Sequence, residues 1–185
     1  AAEVFNVARE AVTREQRNYA KIVNFGIIYG VSPFGLARRI EGLTVDAARE
    51  LIQVYNKRFP TIPRFLDRCV MEAQTQGYVE TILGRRRPIP DIKSGVLSIR
   101  NAAERVAINS VVQGSAADLI KRAMVNLHAR LKRENRPSKM LLQVHDELVF
   151  ETPQSAVDQD TAIIRDEMQN AMELKVPVKV EIGWD

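Results

Sequence analysis

The chain has 185 residues, of which 45% are hydrophobic and 27% charged, a balance that describes a folded, core-forming polypeptide and excludes a disordered or collagen-like one. With one cysteine and two histidines, an internal disulfide is impossible and a zinc site of the usual kind is excluded. The net charge of +4 divides unevenly, +11 over residues 1–139 and −7 over residues 140–185, which suits a polyanion on the body and a cation near Asp146.

No apolar run is long enough to span a bilayer and no signal-peptide pattern opens the chain, so no membrane partner is expected. The single cysteine points to a reducing, intracellular setting.

Taken in chain order, residues 1–10 read as helical without a cap ahead of them, as if the chain begins inside an element. Thr13 and Gln16 form a capping box, predicting a helix over 13–30 that Gly30 ends in a left-handed conformation. Ser32-Pro33 starts a short helix to about Ile40, closed by Gly42. Thr44 caps a helix through about Phe59, and another runs from Ile62 to Gln76, closed by Gly77. Residues 78–83 and 85–89 read as short strands joined at Gly84. A long helical pattern from Gly95 to Glu134 carries an expected break at Gly114-Ser115, where Ser115 and Asp118 look like a new cap. LLQVHDELVFE reads as strand, tight turn, strand. A helix over 154–173 and a closing strand over 176–182 complete an α+β pattern, mostly helical with a small antiparallel sheet.

Three segments carry candidate chemistry. In RNYAKIVNFGIIYG, Arg17, Lys21, Phe25 and Tyr29 recur every four residues, which on a helix places two cations and then two aromatics along one stripe. The cations lie near the positive end of the helix dipole and form a cradle for a polyphosphate, with a sugar and base packing further along. Gly26 and Gly30 imply close approach by a ligand or another backbone. An ordinary amphipathic helix with Phe25 and Tyr29 in the core has the same spacing.

Arg105, Asn109 and Gln113 form a second stripe. The minor groove offers similar acceptors at every base pair, so an arginine with two amides suits a duplex held without being read; a water-satisfied polar face fits equally. The third segment is His145-Asp146-Glu147, at the corner between two apolar strands. There carboxylates are exposed to a hard cation such as Mg²⁺, which takes one or two protein carboxylates and completes its shell with water and phosphate oxygens. A merely polar hairpin tip is the alternative.

Together the motifs resemble family A DNA polymerases of the bacterial polymerase I type. RNYAKIVNFGIIYG is similar to that family's fingers helix, AAERVAINSVVQGSAADLIKRAM to its duplex-gripping helix and LLQVHDELVFE to its palm carboxylate motif. ETILGRRRPIPDI has the family look too, the order and spacing agree, and the resemblance covers nearly the whole chain.

The resemblance implies fingers helices over 1–77 and a partial palm over 78–185, with the duplex-gripping helix at 95–113 and the carboxylate hairpin at 139–152. Arg17 and Lys21 are then expected on the triphosphate of a deoxynucleoside triphosphate, with Lys21 also able to protonate the leaving pyrophosphate. Phe25 is expected on the sugar, governing discrimination against dideoxynucleotides, and Tyr29 beside the templating position. Arg105, Asn109, Gln113 and His145 are expected on primer–template DNA. Asp146 is the expected catalytic Mg²⁺ ligand, with Glu147 beside it, in a bacterial, cytoplasmic setting or an organelle.

This sequence departs from the family in one respect. A strand motif of the form Asp-Tyr-Ser-Gln-Ile-Glu, bearing a second essential aspartate, precedes the fingers helix in the family and does not occur here. The two-metal site is therefore expected to be incomplete, and the chain reads as an inactive C-terminal fragment whose uncovered palm edge near Val144 or Val149 self-associates. Two other readings stay open: a fragment of a single-subunit RNA polymerase, which shares the fingers pattern, and a non-catalytic nucleic-acid-binding module. His145-Asp146-Glu147 and Phe25 favour the first reading over the former, and the retention of Asp146 favours it over the latter.

Overall fold

The computed structural model describes residues 1–5 and 7–184. Two compact units divide the chain, residues 1–112 and 113–185.

The first unit opens with α1 (Ala2–Phe5) and a 3-10 turn at Arg9–Ala11, so the helix expected over 1–10 is interrupted; Asn6 within it lies outside the described residues. Next come α2 (Arg14–Ile28), α3 (Pro33–Ala37), α4 (Val45–Arg58) and α5 (Thr61–Gln76). Their boundaries follow local chemistry. Thr13 Oγ1 accepts from Gln16 N–H at 3.2 Å while Gln16 Oε1 accepts from Thr13 N–H at 3.0 Å, completing the capping box. Ser32 and Thr44 cap α3 and α4 with the side-chain oxygen alone, accepting from Gly35 N–H at 3.1 Å and Ala47 N–H at 3.2 Å. Gly77 closes α5 in the left-handed region at φ 81°, where a side chain would be strained.

α2 is amphipathic, and its inner face is Val23 and Ile27. These pack with Leu36, Ile40 and Ala48 into a core that Leu51, Ile52 and Tyr55 of α4 flank. Tyr55 donates its hydroxyl to Asn24 Oδ1 at 2.6 Å, tying α4 to α2, and partial burial raises its pKa. A second core joins Ala73 of α5, Val79, Ile89, Ile92 and, from the helix that follows, Ala103 and Ala107. Here β1 (Tyr78–Glu80) and β2 (Arg86–Pro88) form a short antiparallel hairpin, braced by an Arg86 Nε–Glu80 Oε1 pair at 2.9 Å.

α6 (Leu97–Arg133) runs without a break, and this corrects the expected interruption at Gly114-Ser115. A helical glycine costs about 1 kcal/mol, too little to end a helix with buried residues before and after it, such as Ala107, Ile108, Ala123 and Leu127. Asp118, the supposed cap partner, is itself buried mid-helix.

In the second unit, β3 (Lys139–Val144) and β4 (Glu147–Glu151) form an antiparallel hairpin, followed by a 3-10 turn and α7 (Val157–Gln169). The pairing is Lys139 with Glu151 and Met140 with Phe150, then Leu142 with Val149, Gln143 with Leu148 and Val144 with Glu147, so Leu141 is an extra, bulged residue. The closing strand expected over 176–182 is not formed: among the described residues the only sheets are the two hairpins. Alternating valines favour an extended chain, but a strand exists only where a neighbouring backbone takes up its hydrogen bonds.

The open end of the β3–β4 hairpin is locked down. Asp160, fully buried, accepts from Arg136 Nε and from Ser138 Oγ at 2.5 Å each, and Ser138 Oγ lies 2.8 Å from Thr152 Oγ1. Ser138 immediately precedes β3 and Thr152 immediately follows β4, so one buried carboxylate ties both strand ends together.

Candidate functional site

The four stripe residues of α2 share its outer face. Arg17, Lys21 and Phe25 are exposed, Tyr29 is half-buried, and the core face belongs to Val23, Gly26 and Ile27. Phe25 keeps 52% of its surface open to solvent, which removes the reading of that aromatic as core. Arg17 and Lys21 make no ion pair among the described residues. Lys21, Phe25 and Tyr29, with Ile22, Gly26 and Arg39, line an open cavity of about 450 Å³, within the size range of small-ligand pockets.

The glycines of the motif answer to the fold. A Cβ on Gly26 would come within 3.0 Å of Val31 Cγ1, and Val31 N–H donates to the Gly26 carbonyl at 2.8 Å, so its close neighbour is the turn that follows α2. Gly30 takes φ 71°, and a Cβ there would lie 3.8 Å from Arg105 Cγ. The fold therefore brings the stem of Arg105 to the C-terminal end of α2.

Arg105, Asn109 and Gln113 follow one another along α6, with Arg105 and Gln113 exposed. The Asn109 carboxamide oxygen is buried with no hydrogen-bond partner among the described residues. An unmet buried acceptor costs roughly 1–3 kcal/mol, whereas the exposed Arg105 and Gln113 side chains are open to solvent.

In the second unit, His145 and Asp146 form the turn of the hairpin and Glu147 opens β4, all three exposed. His145 holds φ 55°, an uncommon value for a residue with a side chain, and its carbonyl accepts from Gln143 Nε2 at 2.8 Å. Asp146, beside that brace, is exposed at the turn. Among the described residues no group of three or more His, Cys, Asp or Glu is placed to hold a metal ion. Asp146 with Glu147 fits one corner of a cation site and does not fit a complete two-ion site.

Two further groups act at these sites, Arg39 in the cavity lining and Gln143 at the hairpin turn. Arg39 reaches the α2 cavity through the packing of α3 and carries no local signal. Gln143 is a polar interruption in an apolar strand, and that interruption was legible. Among the described residues no helix is long and apolar enough to cross a membrane.

Residues 1–185 match the profile of DNA polymerase family A. The chain is 45% identical over 184 residues to DNA polymerase I of Bacillus caldotenax, covering 100% of this chain and 21% of that protein. It is 48% identical over 182 residues to DNA polymerase I of Caldicellulosiruptor bescii, covering 98% and 21%. It thus spans about a fifth of the length of the curated relatives it matches. Among solved structures it is similar to the POL domain of Pol1 from M. smegmatis in complex with DNA primer-template and dNTP. That match has a TM-score of 0.91 at 38% identity and covers 96% of this chain and 31% of the other.

Proposed function

Because the chain belongs to DNA polymerase family A, we propose that it forms the fingers and part of the palm of a DNA-directed DNA polymerase, which adds deoxynucleotides to a primer 3′ end. The observation that carries this reading is the outer face of α2, where Arg17 and Lys21, without ion pairs among the described residues, precede Phe25 and Tyr29, and where Lys21, Phe25 and Tyr29 line an open cavity of about 450 Å³.

In this reading residues 1–77 are fingers and 78–185 partial palm. Arg17 and Lys21 hold the triphosphate through charge-assisted hydrogen bonds, and Lys21 Nζ donates a proton to the departing pyrophosphate. Phe25 packs on the deoxyribose and Tyr29 flanks the templating base. Arg105, Asn109 and Gln113 grip the primer–template minor groove, where acceptors repeat at every step, and His145 lies near the primer end. The cavity volume and the exposure of Phe25 support the placements on α2.

The family is divalent-metal-dependent, and we assign Asp146, with Glu147 as a weaker candidate, to the Mg²⁺ site. This chain's carboxylates make only part of that site.

The test is Arg17→Ala and Lys21→Ala in the full-length protein. Each is expected to raise the KM for deoxynucleotide about tenfold or more, the equivalent of one charge-assisted hydrogen bond, and to leave the primer–template Kd nearly unchanged. Equal loss of duplex binding in an anisotropy titration would refute the placement of these cations.

A further inference from the structure

The cavity over α2 is lined by a second cation, beside Lys21, that no sequence motif supplied. Arg39 joins Lys21, Phe25 and Tyr29 in its lining, although it follows α3 and lies well beyond α2 in the chain. Its backbone is fixed on both sides. Leu36, fully buried, sits where a Cβ on Gly26 would lie 3.6 Å from its Cδ1, and Arg39 N–H donates to the Leu36 carbonyl at 3.0 Å. Ile40, the next residue, is buried in the same core as Val23 and Ile27. The core on the α2 inner face thus holds Leu36 and Ile40 on either side of Arg39, and this arginine lines the α2 outer-face cavity.

The guanidinium itself is exposed and makes no ion pair or hydrogen bond among the described residues. Its neighbour Arg38 is engaged, with its guanidinium 5.9 Å from the Phe34 ring centroid. Two unpaired cations, Lys21 and Arg39, therefore line one cavity from two different elements. Like charges in one cavity repel, and an anion between them turns that repulsion into attraction on both sides. A lysine brings a point charge, whereas an arginine brings a planar fork that matches two phosphate oxygens.

We propose that Arg39 is a phosphate-gripping residue of the nucleotide site, forking onto triphosphate oxygens from outside α2 while Lys21 holds them from the helix. This inference rests on the reading of α2 as the nucleotide helix and adds to it a contact that does not come from the helix motif.

The experiment compares Arg39→Ala, Arg39→Lys and Lys21→Ala in the full-length protein. It reads the KM for deoxynucleotide, the Ki of inorganic tripolyphosphate as a competitor and the Kd for primer–template. Arg39→Ala is expected to raise both KM and Ki about tenfold, with Kd within about twofold of the unaltered protein. Arg39→Lys keeps the charge without the fork and is expected to fall between. Unchanged KM and Ki in Arg39→Ala, with both raised in Lys21→Ala, would overturn the role of Arg39 and leave the nucleotide helix standing. Unchanged values in all three variants would remove the nucleotide helix as well. A weakened Kd with an unaltered tripolyphosphate Ki would reassign Arg39 to a strand phosphate and overturn the proposal too.

Discussion

Helix α2 and the β3–β4 hairpin carry the two halves of the proposed chemistry, and they are held in opposite ways. α2 lays a full apolar face on a core of Leu36, Ile40 and Ala48, with Tyr55 bonded to Asn24, so its outer face is presented by a packed support. The hairpin is thinly covered: Leu141, Leu142, Val144 and Val149 are exposed while Met140, Leu148 and Phe150 are half-buried, and the Asp160 network ties its open end. The binding half is thus locally complete, and the metal half has an anchored base and an uncovered blade.

The widest consequence concerns catalysis. Holding two cations about 4 Å apart takes carboxylates converging from separate strands, whereas Asp146 has only Glu147 beside it, one position along the chain. The 185-residue chain expressed alone is therefore expected not to extend a primer. In the full-length protein, Asp146→Ala is expected to lower kcat by roughly a thousandfold or more, the scale on which a group that stabilises transition-state charge acts. Extension by the purified 185-residue chain, lost on Asp146→Ala, would break the comparison outright.

Stability mutants sharpen it. Leu36→Ala empties a fully buried site and is expected to cost about 2–5 kcal/mol in urea unfolding of the chain, while Leu142→Ala, 49% exposed, costs less than about 1 kcal/mol. Asp160→Ala leaves Arg136 half-buried without its partner and belongs with the expensive class, about 3–5 kcal/mol. A costly Leu142→Ala would show that the blade is packed after all.

Exposed apolar strands find partners, so the chain alone is expected to self-associate through the hairpin, most simply as a dimer. Light scattering should report a concentration-dependent mass that Val149→Lys reduces towards the monomer. A monomer at high concentration would mean that the edge is protected.

The smallest effect is electrostatic. Arg130 of α6 donates to Asp166 at 2.6 Å and to Glu167 and Glu134 at 3.0 Å each. The hydrogen bond from Arg130 holds the Asp166 carboxyl below the usual carboxylate range. Because its folded pKa is depressed, Asp166 stabilises the fold above its unfolded pKa, and that contribution fades as pH falls through the folded value. Asp166 is about half exposed, so screening limits the pair to roughly 0.5 kcal/mol. Asp166→Asn should lower stability at neutral pH by about that amount, leave the acid end unaltered and so flatten the acid limb of the profile slightly.

Much of this molecule was legible in its sequence because its helix ends are chemically explicit. Thr13, Ser32 and Thr44 cap, Gly30, Gly42 and Gly77 close, and the hairpin turn falls on His145-Asp146 as the strand pattern requires. Illegible features depended on distant partners. Gly114 did not break α6 because cores on both sides outweigh one glycine, and residues 176–182 had the composition of a strand but no backbone to pair with. At the site, four-residue spacing found the α2 stripe, yet nothing in the order of residues announced that Arg39 would join it. Only the burial of Leu36 and Ile40 does that.

The bulge at Leu141 gives the hairpin a mechanical joint. On one side lie the pairs fastened through Ser138 and Thr152; on the other, three pairs and the turn continue in a different register. Strands bend and twist most at such points. At about 3.3 Å per residue, the tip stands roughly 10–15 Å beyond the joint, so a flexure of ~10° sweeps the Asp146 carboxylate through ~2 Å. Metal coordination tolerates errors of only ~0.2 Å. If Asp146 holds a cation as proposed, the aim of its carboxylate depends on the stiffness of a hinge five residues away, and deleting Leu141 is expected to stiffen that lever without touching an atom of its tip.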